Sequence, residues 1–229
     1  LAQSIGGGGG LGGHAVQISL GIMLNPTTGQ QASDTEHHGG TVSGTIGGTI
    51  ETDGDNSAGA FIQSVGGGGG SAGNSIEIGA AIQFNHDMGA DGQKGGDGGT
   101  VDFTNNAAIT TLGHDSDGIL AQSVGGGGGH SSNVFDSNIG GLNLSQYIGN
   151  QGAKGGAGGH GGKVTVVSNG AITTGGHASL GILAQSVGGG GGKAGSTINA
   201  DITLSAGAVT LGQSGGDGAS KRTPGHGHV

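Results

Sequence analysis

Apolar and polar residues alternate along this chain in short runs, and the runs are bounded by Gly, Asn, Asp and Ser. Val164 and Val166 flank Thr165. Ile182, Ala184 and Ser186 share one side of an extended segment, with Leu183, Gln185 and Val187 on the other. The same period of two carries Val16, Ile18 and Leu20, then Ile76 and Ile78, Leu142 and Leu144, and Ile198, Ile202 and Leu204. Alternation of this kind belongs to strands, whose successive side chains face opposite sides. The Gly, Asn, Asp and Ser clusters between them read as turns. Helix is disfavoured throughout, because glycine interrupts nearly every stretch and costs about 1 kcal/mol per helical position relative to alanine. No run of about 18 apolar residues occurs, so nothing here crosses a membrane as a helix.

The strand pattern itself repeats. Gln-Ser-Ile/Val followed by five glycines begins at Gln3, Gln63, Gln122 and Gln185, at spacings of 60, 59 and 63 residues. Thr41-Val42-Ser43, Val101-Asp102-Phe103 and Val164-Thr165-Val166 stand upstream of the last three copies. Ile50, Ile109 and Ile172 follow in register, and then Ala60, Ile119 and Ile182. Short strands at a fixed period predict an all-β fold, a parallel β-solenoid or β-helix. Sixty residues is long for one coil, so the expectation is two coils per repeat, a regular half such as 101–129 and a variable half such as 130–162. About eight coils at about 4.8 Å each make a rod about 35–40 Å long. Residues 1–219 read as one repeat domain, and 220–229 as an atypical basic tail where the pattern fails.

The five-glycine runs exceed a tight turn. A flexible loop is the bland reading. Their constant length at four sites favours ordered segments instead, extended polyglycine helices packed so closely that a side chain would clash.

Composition narrows the picture. Of 229 residues 63 are glycine, aromatics are 2 %, and Trp and Cys are absent. That supply is too poor for a conventional core wrapped by helices. Collagen is excluded, because glycine does not fall at every third position and only 2 prolines occur. Neither a disulfide nor a thiolate metal site is available. Stacked coils answer the shortage by burying each apolar row against the next. The net charge of −9, with Arg222 the only arginine, excludes nucleic acid as a partner and disfavours an anionic membrane surface.

Candidate chemistry is sparse. The 10 histidines invite a metal reading. His114 and His177 occupy equivalent repeat positions, where the second repeat has Asp55. Two coils apart they would lie near ~10 Å, too far for one zinc, and exposed turn histidines are the ordinary reading. His37-His38 and His226/His228 are loop and tail pairs. Calcium is the one cofactor left open, by the Asp53-Asp55-Asn56 turn and the stretch Gly95 to Phe103. The latter lacks the aspartate that a calcium nonapeptide requires, having Thr100 there. Asp115 and Asp117 are the nearest approach to a carboxylate pair, but their equivalents are Ala178 and Leu180, and nothing else marks an acid–base site. Gly192-Lys193-Ala194 lacks the hydroxyl and the helix of a phosphate loop. The expectation is therefore no enzyme, with no catalytic, cofactor or metal residues. Gln3-Ser4, Gln63-Ser64, Gln122-Ser123 and Gln185-Ser186 read as structural, each buried amide finding a backbone partner because an unsatisfied one is costly. Thr110, Thr111, Thr173 and Thr174 read as surface contacts.

Gly-Ile-Leu-Ala-Gln-Ser-Val with five glycines at 118–129 and 181–192 resembles the glycine-rich repeats of large bacterial autotransporter (type V secretion) passengers. So do Gly-Gly-x-Gly-Gly, Val-x-Phe/Val and Ala-Ile-Thr-Thr over 95–111 and 158–174. The resemblance covers about residues 1–219. It implies a secreted β-solenoid on the Gram-negative outer membrane surface, an adhesin or biofilm component that contacts host, abiotic or sibling-cell surfaces. A pure spacer or matrix module and an ice-binding solenoid are the alternatives. Unpaired strand edges at the end coils add end-to-end or side-by-side self-association.

Overall fold

The structure, a computed structural model, describes residues 1–23, 37–83, 89–139, 153–200 and 216–219. All regular structure among them is strand: β1 (Ala2–Ile5), β2 (Ala15–Met23), β3 (Val42–Thr52), β4 (Ala60–Val65), β5 (Ser75–Gln83), β6 (Val101–Thr111), β7 (Ile119–Val124), β8 (Val134–Asn138), β9 (Val164–Ser168), β10 (Ile172–Thr174), β11 (Ile182–Val187) and β12 (Thr197–Asn199). They form three parallel sheets. Sheet I is β1-β4-β7-β11, sheet II places β3 and the successive β9 and β10 on either side of β6, and sheet III is β2-β5-β8-β12. Leu142, Leu144, Ile202, Leu204 and the 220–229 tail lie outside the described residues.

The registers join equivalent residues of successive repeats. Gln3 pairs with Gln63, Gln63 with Gln122 and Gln122 with Gln185. In sheet II, Val42, Val101 and Val164 form one row and Ile50, Ile109 and Ile172 another. Two coils per repeat would bring each strand a neighbour from about 30 residues away. Every paired strand among the described residues instead comes from a full repeat away, so the expected pairing at half-repeat spacing is corrected to pairing at full-repeat spacing. The physical reason is that the two halves differ in composition. Only equivalent residues, a whole repeat apart, stack as like on like.

The halves do meet, through their glycine tracts. Along the first tract every third residue bonds the next repeat: Gly66 N–H to Val124 O, and Gly69 N–H to Gly127 O. The residue after each bonds the second tract instead, as in Gly126 N–H to Gly96 O and Gly129 N–H to Gln93 O. The second tract returns the pattern, with Gly156 N–H to Gly129 O and Gly159 N–H to Gly126 O, and its own threefold ladder of Gly92, Gly95 and Gly98. A period of three in extended chain is the polyproline II geometry. The tracts are thus hydrogen-bonded polyglycine helices, which a backbone without side chains can pack side by side.

Sheets I and II face each other. Strand β6 alternates buried and open residues along its length, and β4 and β7 do the same. The core between them comprises Val42, Ala60, Ile62, Val101, Phe103, Ala107, Ile109, Ile119 and Ala121. Polar side chains continue its inward rows, Asn105 in the middle of β6 among them. Asn105 Nδ2 donates to Ala107 O at 3.1 Å and to Ser168 Oγ at 3.0 Å, and its Oδ1 accepts from Ala107 N–H at 2.9 Å, so the buried amide is satisfied. The turn joining sheet II to sheet I carries one left-handed residue per repeat, Asn56, Asp115 and Ala178. Asn and Asp tolerate that conformation; Ala does so at a cost.

Candidate functional site

The side chains singled out by sequence fall into columns that run across the repeats. In sheet I the glutamines bond one another. Gln3 Nε2 donates to Gln63 Oε1 at 2.8 Å, Gln63 to Gln122 at 3.1 Å and Gln122 to Gln185 at 2.9 Å. The expected bond to intervening backbone is corrected, because no strand intervenes between neighbouring repeats. The adjacent serines turn inward and stitch sheet I to the segment entering sheet II. Ser64 Oγ donates to Gly40 O at 2.8 Å and accepts from Gly99 N–H at 2.9 Å. Ser123 repeats this with Gly99 and Gly162.

The threonine pairs divide by strand alternation. Thr111 is closed to solvent and its hydroxyl donates to Ser116 O at 2.6 Å, bracing the turn, as Thr52 does with Ser57 O at 2.8 Å. Thr174 occupies the same row half-buried. This corrects the reading of Thr111 as a surface contact. Thr110 and Thr173 remain, paired on the open side of sheet II.

The histidine and aspartate columns hold the repeats together at the surface. His114 Nδ1 accepts the N–H of His177 at 3.1 Å, and the two rings stack at 5.1 Å and 9°. The expected separation of two coils is therefore corrected to direct neighbours. Asp55 Oδ1 accepts the N–H of His114 at 2.7 Å. The same device recurs with His14 and Asn74, His38 and Asp97, and His130 and Lys193, the imidazole Nδ1 accepting each time. Asp97 accepts from His160 and Asp117 from Leu180. Each side chain fills the acceptor role for an amide one repeat further on. Sequence reasoning missed this rule, although the shared register of His114, His177 and Asp55 signalled it.

Asp97 shows what the position does to a charge. Burial raises its pKa, but the His160 N–H and the nearby Lys94, with Nζ at 3.4 Å, outweigh burial and hold the carboxyl below its ordinary value. Among the described residues no group of three or more His, Asp or Glu side chains is placed to hold a metal. Of the calcium candidates, Asn56 sits in the left-handed turn and Asp55 is committed to the His114 amide. Asp115 takes the left-handed turn position, and Asp117 Oδ1 accepts the N–H of Leu180. Lys193 follows a glycine tract that bonds Gly156 rather than opening a helix. His37, Asp53 and the Gly95–Phe103 stretch belong to no group of three or more such side chains among the described residues, and His226, His228 and Arg222 lie outside the described residues.

What the columns offer chemically is an array, with equivalent positions of successive repeats side by side at strand spacing. No protein-family model, curated protein or solved structure matches the chain.

Proposed function

We propose that this chain is a non-enzymatic structural and adhesive module, a parallel β-solenoid with one long coil per repeat, displayed on the surface of a Gram-negative cell as part of an autotransporter passenger. One observation carries the reading. Among the described residues the apolar, amide and hydroxyl columns run from repeat to repeat, each residue beside its equivalent. A fold whose sheets, glycine tracts and turns all bond to the neighbouring repeat extends without limit in one direction. It presents repeated polar rows, such as Thr110 with Thr173 and the glutamine ladder, to another surface. Contact of that kind gains strength by number rather than by a single tight site.

The test is attachment. Beads carrying the purified chain are expected to adhere to host cells, abiotic surfaces or cells displaying the same repeats, and to do so more weakly when Thr110 and Thr173 are both replaced by alanine. Beads that adhere no better than uncoated ones on every surface would leave the spacer or matrix reading in its place. Retarded ice growth in the presence of the chain would instead favour the ice-binding alternative.

A further inference from the structure

Sheet III is built with its polarity inverted. Its inward rows contain Ser75 and Glu77 on β5, Asp136 beside Val134 on β8, and Thr197 on β12, all buried. Its outward rows are apolar. Val16, Ile76, Phe135 and Ile198 form one row by register, Ile18 and Ile78 lead a second, and Leu20 and Ile139 flank Ala80 in a third. These are large side chains left open to solvent, Ile18 at 76 % and Leu20 at 88 % exposure, with Ile76 and Phe135 in the middle still near 40 %. The other described members of these rows are Ala80, Ser137 and Ala200, so no charged residue lies among them. The face gathers eight large apolar side chains, each between 37 % and 88 % exposed, an apolar patch of the kind that marks an interaction site. It is on the order of the ~800 Å² that each partner of a standard interface buries.

We propose that the outward face of sheet III is the surface through which two copies of this chain pair, sheet against sheet. Three features select that occupant. The described rows of the face carry no charged residue, so an identical face meets them without desolvating a charge. Its rows repeat at strand spacing, and a second copy brings the same spacing, so ridges on one side meet grooves on the other over the whole patch. A two-fold arrangement is closed and self-complementary. A lipid surface fits less well, because the rows hold no Lys or Arg and the chain has a net charge of −9 and no Trp. Pairing in solution is a separate matter from attachment to a surface, so either reading can fail alone.

Sedimentation velocity of the full chain from about 1 to about 100 µM reads the pairing over the micromolar range. The wild type is expected to reach twice the chain mass within that range. Ile78→Lys, in the middle of the face, is expected to weaken association at least about tenfold. Phe135→Thr keeps strand propensity and is expected to weaken it measurably while the thermal melt stays unchanged, and it decides the matter if the lysine variant misfolds. A wild type that stays monomeric throughout overturns the proposal. So does association that both variants retain, which would place the contact at the strand edges. Flotation of a monomeric wild type with phosphatidylcholine vesicles overturns it in favour of lipid.

Discussion

A single methyl group separates two classes of glycine in the five-residue runs. A Cβ built at Gly126 runs into the carbonyl of Gly67 in the preceding repeat, and one at Gly129 runs into that of Gly70. At Gly127 the nearest atom is Gly190 O, 3.7 Å away, which is ordinary contact. Gly126→Ala is therefore expected to cost several kcal/mol or to abolish folding, since backbone on both sides must move. Gly127→Ala is expected to leave stability unchanged or raise it by up to about 1 kcal/mol, through the unfolded chain. Thermal melts of the two variants check the contrast, and equal destabilisation would mean that the tracts are not packed as described. The glutamine ladder is tested at the same scale. Gln122→Ala removes one donated and one accepted amide bond, and at about 0.5–1.5 kcal/mol per bond a loss of about 1–2 kcal/mol is expected from denaturant titration.

At the scale of the element, each strand and tract is held by its counterpart a repeat away, and surface side chains supplement that ladder. Asp97 reports on it through pH. Its carboxyl is held below the ordinary value, with burial opposing and the His160 amide and Lys94 prevailing. A depressed folded-state pKa contributes stability that is full above the unfolded value near ~3.9 and is lost as pH falls through the folded value. Asp97→Asn lacks that acid limb. The stability gap between wild type and variant is expected to be constant above about pH 5 and to close on acidification below about pH 4. Melts across pH 2–7 measure it, and a gap independent of pH would show that the carboxylate charge plays no part. Strands were legible in the sequence because alternation is a local property, and Val101, Phe103 and Ile109 point inward as their spacing requires. The inverted polarity of sheet III was not legible. The alternation of Ile76 with Glu77 is the same whichever face is buried, and only packing chooses the side.

In all three sheets equivalent residues of successive repeats lie side by side, and one repeat can be removed. Deleting residues 63–121 takes out one full repeat and leaves Gln3 facing Gln122 in register. The product is expected to fold with a cooperative but lower melt, since one nearest-neighbour interface is gone. Deleting residues 63–92 takes out about half a turn of chain and leaves glycine tracts opposite strands, so a coil-like circular dichroism spectrum is expected. Equal tolerance of both deletions would restore the arrangement of two coils per repeat.

The sequence by itself determined that the chain is strand without conventional core, that it repeats about every 60 residues, and that its glycine runs keep a constant length; whether those runs are ordered it left open. These follow from period, propensity and composition, which need no knowledge of neighbours. Only the tertiary structure decided that strands pair at full-repeat spacing, that His14, His38, His114 and His130 accept backbone amides of the next repeat, that Thr111 is closed inside, and that the apolar side of sheet III faces water. Each of these depends on which segment lies at about 4.8 Å from which. That distance is set by the packing of the two halves against each other, and no local pattern encodes it.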